Sequence, residues 1–142
     1  MFKRLFSNSK RTADYCVLVI DDDQPVRQTI VDMLEDEGYR VKSALNGEEA
    51  LKILDEVPLP DVLIVDLMMP EMDGKEFIER GRVRFGRSTF PPSLLLTAAR
   101  HGEVTANLID VDDYMPKPFD HEDLLQHVWN LIDKKNSYAN RV

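Results

Sequence analysis

The sequence has a single cysteine, Cys16, which excludes an intramolecular disulfide, and no set of Cys and His residues has zinc-ligand spacing. It also lacks any stretch approaching the roughly 20 apolar residues of a membrane span, and its amino terminus has no signal-peptide apolar region. No transmembrane segment and a cytoplasmic, reducing compartment are therefore expected. Positive charge is scarce: 18 Lys and Arg stand against 26 Asp and Glu, a formal net charge of −8. That balance disfavours nucleic-acid binding, which needs cations to neutralise phosphates, so no direct DNA binding by this chain is expected. At 142 residues the chain has the size of one domain with one sizeable core, and a second functional domain does not fit.

The apolar residues fall into short runs. Residues 1–14 carry Lys3, Arg4, Lys10 and Arg11 among Ser and Asn and read as a basic leader outside the core. Its Phe2, Leu5 and Phe6 are too few to anchor much at a membrane surface. Then Cys16-Val17-Leu18-Val19-Ile20, with Cys16 as a small core residue, suits a strand covered on both faces and runs into Asp21-Asp22-Asp23. Pro25 is placed to open a helix, and Val26, Ile30, Met33 and Leu34 recur at helical spacing until Gly38 stops it. Residues 39–44 alternate Arg40 and Lys42 with Val41 and Ser43, the pattern of an edge strand. The next helix has Asn46 as cap and Glu49 three residues on, turns Ala50, Leu51 and Leu54 inward, and ends before Pro58.

The run Val62-Leu63-Ile64-Val65 is a third buried strand, and it delivers Asp66 before breaking into a turn at Pro70 and Gly74. A helix follows from about Gly74 with Phe77, Ile78 and Gly81 on one side. Arg80, Arg82, Arg84 and Arg87 then make a concentrated basic run. Solvated arginines favouring a helix carboxyl-terminal dipole are the expectation, with contact to an acidic partner as the competing reading. Leu94-Leu95-Leu96-Thr97 is a buried strand ending in a hydroxyl. In residues 100–110 only Val104 and Leu108 support a short helix, which Gly102 weakens. Residues 113–119 give a last strand ending in Lys117, and Pro116 assigns it to the other edge of the sheet. The closing helix has Asp120 as cap, Glu122 and Asp123 in its first turn, and Leu124, Leu125, Val128 and Ile132 inward. Five βα repeats imply right-handed crossovers and a parallel sheet over residues 15–134, with 135–142 as a tail or the start of a linker.

One parallel sheet would bring Asp21, Asp22, Asp66, Thr97 and Lys117 to the edge formed by the carboxyl ends of the strands, where ligands of open α/β sheets bind. Taken singly, these are a strand-ending acid, a helix-entry cluster, a hydroxyl and a solvated lysine. Together, three carboxylates raise one another's pKa unless a cation intervenes, and hard oxygen ligands suit Mg²⁺. With that ion and Lys117 beside it, Asp66 would be ionised and able to attack phosphorus, while Thr97 could donate a hydrogen bond to a phosphoryl oxygen.

These blocks resemble the receiver domain of two-component response regulators: Val-Leu-Val-Ile-Asp21-Asp22-Asp23, Val-Asp66-Leu-Met-Met-Pro70-Glu-Met-Asp73-Gly74, Leu-Leu-Thr97-Ala98 and Asp113-Tyr114-Met-Pro-Lys117-Pro118-Phe119. The resemblance implies a doubly wound, five-stranded flavodoxin or CheY-like fold of strand order 2-1-3-4-5. It implies Asp66 as phosphoacceptor for a histidine kinase or phosphotransfer protein. Mg²⁺ (or Mn²⁺) would be held by Asp22, Asp66 and the backbone carbonyl of Met68, with Asp21 acting through water. Thr97, Ala98 and Lys117 would meet the phosphoryl group, Lys117 and Pro118 would share a cis peptide, and Thr97 with Tyr114 would form the switch. A downstream partner or output domain and a phosphorylation-dependent dimer are also implied.

The chain departs from the family pattern in two places. Between Thr97 and Tyr114 it is about two residues shorter than the family pattern, judged by that resemblance, and Asp110-Val111 replaces the customary Gly-Ala, which puts an inherited dimer geometry in question. Met68 and Ala99 lie two residues past Asp66 and Thr97, where the family borders the path of attacking water, and neither side chain can orient a water. Slow self-dephosphorylation is the expectation. Two other classes compete. A phosphotransferase of the haloacid dehalogenase type would carry a second Asp where this chain has Met68, and a constitutive docking module would not need all four chemical side-chain types.

Overall fold

A computed structural model describes residues 11–98 and 110–141. The leader up to Lys10, Ala99, and the short helix expected around Val104 and Leu108 lie outside the described residues. Five strands, β1 (Cys16–Ile20), β2 (Arg40–Ala44), β3 (Val62–Asp66), β4 (Ser93–Ala98) and β5 (Asp113–Lys117), form one sheet. All neighbours are parallel, in the order β2-β1-β3-β4-β5. The central strands are those with unbroken apolar runs: Val17 to Ile20 and Val62 to Val65 are fully covered. The edges went to the strands carrying charge or proline, since Arg40 and Pro116 are exposed.

The described helices are α1 (Gln24–Asp36), α2 (Gly47–Leu54), α3 (Gly74–Phe85) and α4 (His121–Arg141). The first three begin on a side-chain cap: Asp23 accepts from the Val26 N–H, Asn46 from Glu49 and Asp73 from Glu76. Each such cap is worth about 1 kcal/mol. Pro25 is second in α1, after Gln24, and Gly38 turns the chain at φ 104°. Strand alternation divides the core into two halves. Val17, Val19, Ile64 and Leu96 face α1 and α4, packing on Ile30, Leu34, Leu124 and Val128. Leu18, Ile20, Leu63, Val65 and Leu95 face α2 and α3, packing on Leu51, Leu54, Phe77 and Ile78. Tyr15, just before β1, sets its ring edge-on to Trp129 of α4, centroids 6.0 Å apart.

Three expectations change. The leader's last residues are docked: Thr12–Asp14 form a 3₁₀ turn, Thr12 Oγ1 donates to the Glu37 carbonyl at 2.6 Å, and Arg40 donates to the carbonyls of Ala13 and Asp14. The closing helix continues to Arg141, because residues 133–141 contain no Gly or Pro to stop it. Finally, the arginines of the basic run are not merely solvated. Arg80 pairs with Glu76, Arg84 with Asp55, Arg87 with Asp110, and Arg82 faces Asp112.

Candidate functional site

Asp66 is the last residue of β3, and Asp21 follows the last residue of β1, whose Ile20 registers with Val65. Adjacent parallel strands therefore release two acids side by side. Lys117, last in β5, reaches across β4 to both, its Nζ lying 3.0 Å from Asp66 Oδ1 and 3.1 Å from Asp21 Oδ2. Asp21 and Asp66 are almost wholly buried, 1% and 6% exposed, whereas Asp22 faces solvent. Carboxylate oxygens of all three lie within 4.8 Å of one another. One Asp21 oxygen also accepts from the Asp23 N–H at 3.0 Å.

Three anions stand against one cation here. Burial is the main force pushing the Asp66 carboxyl above its ordinary pKa; the hydrogen bond from Lys117 works against it, and Asp21 and Asp22 add to the rise. For Lys117, burial acts to lower the pKa, but its bonds to Asp66 and Asp21 outweigh that and hold the ammonium above its usual range. The cluster thus retains surplus negative charge with oxygen donors converging on one place. That donor set fits a hard divalent cation. Thr97 adds a second unmet demand. It is 1% exposed, sits one residue beyond the register partner of Asp66, and its Oγ1 has no hydrogen-bond partner among the described residues. A buried hydroxyl left so costs about 1–3 kcal/mol, a cost an incoming acceptor would remove.

The other expected site residues are distributed around this centre. Ala98 is exposed and registers with Lys117, and the Lys117–Pro118 peptide is cis. Met68 projects to solvent with 70% exposure, while Met69 and Met72 beside it are buried and pin the turn after Asp66. Tyr114 is half-buried against the core half that faces α2 and α3. Gly74 lets α3 approach closely: a Cβ there would stand 2.7 Å from the Asp66 carbonyl oxygen. Arg27 was not anticipated. Its Nη1 donates to the Asp21 backbone carbonyl at 2.7 Å, tying α1 to the acidic turn. The available signal was slight, an arginine one turn into the helix that follows three aspartates.

Comparison with known proteins agrees with this fold. The model of the response regulator receiver domain matches residues 17–129. The chain is 40% identical over 118 residues to the response regulator MprA of Mycobacterium tuberculosis, covering 82% of this chain and 50% of that one. It is 35% identical over 127 residues to the transcriptional regulatory protein TrcR of the same species, covering 88% and 48%. The chain thus spans about half the length of these two relatives. Among solved structures, the chemotaxis protein CheY4 of Vibrio cholerae superposes with a TM-score of 0.72 at 32% identity, covering 82% of this chain and 98% of that one.

Proposed function

The chain belongs to the response regulator receiver family, and from that premise we propose that Asp66 accepts a phosphoryl group from a histidine kinase or phosphotransfer protein. The observation that carries this reading is Lys117 bonded to both Asp21 and Asp66 at the end of three strands. An Asp66 carboxylate oxygen attacks phosphorus, the O–P bond forms, and the bond to the donor nitrogen breaks, leaving its electron pair on the histidine ring. Lys117 turns its ammonium to the transferred oxygens, and Thr97 Oγ1 donates to one of them. Ala98 leaves the approach open. Asp22, Asp66 and the backbone carbonyl of Met68, with Asp21 acting through water, would hold Mg²⁺ (or Mn²⁺), which would supply further positive charge beside the phosphoryl oxygens.

The chain is not an enzyme in the usual sense, since the chemistry it promotes is its own phosphorylation and dephosphorylation. Its output is a population shift in which Thr97 moves toward the phosphoryl group and the ring of Tyr114 turns inward behind it. That state acts on a downstream partner or output domain, or through a phosphorylation-dependent dimer, in the cytoplasm. Residues 15–134 make up the receiver unit. Support for the switch is the orphaned Thr97 hydroxyl and the half-buried Tyr114. No described helix is long and apolar enough to cross a membrane.

Incubation with acetyl phosphate and Mg²⁺, followed by intact mass, tests the assignment. Wild type should gain one phosphoryl group, and the gain should vanish with EDTA or with Asp66→Asn. A gain that persists in Asp66→Asn refutes it.

A further inference from the structure

At the opposite end of the sheet from Asp66, a cavity of about 300 Å³ opens between the loop after α3, the start of β5 and α4. Arg82, Arg87, Lys134 and Lys135 line it, opposed by Asp110 and Asp112. In a chain of net charge −8, this is a concavity where basic side chains outnumber acidic ones two to one. Its size lies at the small end of ligand pockets.

Arg82 is the telling residue. Its side chain is only 14% exposed, yet the nearest carboxylate oxygen among the described residues, Asp112 Oδ2, is 3.9 Å away, too far for a hydrogen bond. That oxygen is already engaged by the Ser93 N–H at 2.9 Å. No hydrogen bond to the Arg82 guanidinium is found among the described residues. A guanidinium offers five donors in a planar fork, and those of Arg82 are not sealed from solvent but lie along the cavity it lines. An acceptor entering the cavity would meet donors that no described residue occupies. Phe90 and Pro91 add apolar wall, and Ser88 and Thr89 bring hydroxyls to the rim.

We propose that this cavity binds a small phosphorylated molecule, with the phosphate on Arg82 and the two lysines and an apolar body against Phe90 and Pro91. Arg and Lys pair with phosphate through charge-assisted hydrogen bonds, and Arg does so bidentately. Occupancy has a route to the other edge of the sheet. Arg82 and Arg87 face Asp112 and Asp110, and the chain runs from these acids directly into β5, which carries Tyr114 and Lys117. A ligand competing for the arginines loosens that tether, so it changes the Asp66 site, and phosphorylation changes ligand affinity by the same factor.

The test is an amide NMR titration of the whole chain with AMP and, separately, inorganic phosphate, in wild type and Asp66→Asn. Saturable shifts confined to the loop after α3, to residues 110–112 and to the end of α4, and retained in Asp66→Asn, support the proposal. Saturation by AMP alone points to a nucleotide, and saturation by both to the phosphate as the recognised group. Arg82→Gln should weaken binding about tenfold or more, the worth of a charge-assisted bond. Should that variant fail to fold, the Lys134→Gln, Lys135→Gln double variant replaces it with the same expected direction. No saturation at roughly 10 mM, where even millimolar sites fill, overturns the proposal. So do shifts confined to Asp66 and Lys117, or affinity unchanged in these variants.

Discussion

The two ends of the sheet use the same side chain in opposite ways. At the amino ends, aspartates are satisfied by backbone: Asp61 Oδ2 accepts from the Cys16 N–H at 2.8 Å, Asp112 Oδ2 from Ser93 and Asp113 Oδ1 from Tyr114. Each closes a donor that the first residues of a strand would otherwise leave open. At the carboxyl ends, Asp21 and Asp66 are buried against each other and share one ammonium. Acids at the first end hold the fold together. Those at the second are set in tension with it, and the proposed phosphoryl acceptance draws on that tension. Strained electrostatics of this kind persists where the fold is stable enough elsewhere to hold it.

The contrast is broken most severely at Lys117. Lys117→Met removes the cation common to both acids, and the initial rate of mass gain from acetyl phosphate should fall about 100-fold, the scale for losing one preorganised charge partner. A rate within threefold of wild type, taken as roughly the noise of such a comparison, would remove Lys117 from the chemistry. Next comes the amino end. Asp61→Ala should cost about 1–2 kcal/mol in urea unfolding by stranding the Cys16 N–H, with phosphorylation rate unchanged. A slowed rate there would mean that the two ends are not separable.

Smaller, and of opposite sign, is the effect of Asp66→Asn on stability in EDTA. Burial raises the Asp66 pKa in the folded state, so ionisation opposes folding. Below the ordinary carboxylate range both states are protonated and the cost is absent; it grows as pH rises from the unfolded to the folded pKa and is constant above. The variant should therefore melt a few degrees higher at neutral pH, with the gap closing on acidification. A variant less stable at neutral pH would contradict this account. Smallest is Met68→Asn. An amide at that exposed position can orient water, so the half-life of phosphorylated Asp66 should shorten several-fold in a timed dephosphorylation assay. An unchanged half-life would exclude Met68 from control of the lifetime.

The strand order was legible through the resemblance to receiver domains, whereas the convergence of Asp21, Asp66 and Lys117 was legible because uninterrupted aliphatic runs at Val17 and Val62 suit buried strands and a parallel sheet sends their ends to one edge. What escaped was long-range polar pairing. Nothing local at Arg82 or Arg87 marks Asp112 or Asp110 as a counterpart, 30 and 23 residues away, because ion pairs leave no periodicity. Thr12 looked like part of a loose leader for the same reason: its bond to the Glu37 carbonyl depends on the turn at Gly38, where a Cβ would stand 2.4 Å from Thr12 Oγ1. In α4, a polar surface beyond Ile132 looked like a helix end, although no breaker was there. Asn136 continues to contribute, donating to the Tyr15 hydroxyl at 3.0 Å.

The edge-on contact of Tyr15 with Trp129 has an optical consequence. Trp129 is the sole tryptophan of the chain, so its emission comes from one place, the seam between α4 and the start of β1. Excitation absorbed by Tyr15 passes readily to an indole 6.0 Å away. The molecule carries its own fluorescent gauge of that seam, and no dye is needed to follow it. Emission that shifts when Asp66 is phosphorylated places the seam of α4 in the moving part; emission that stays constant leaves that seam outside it.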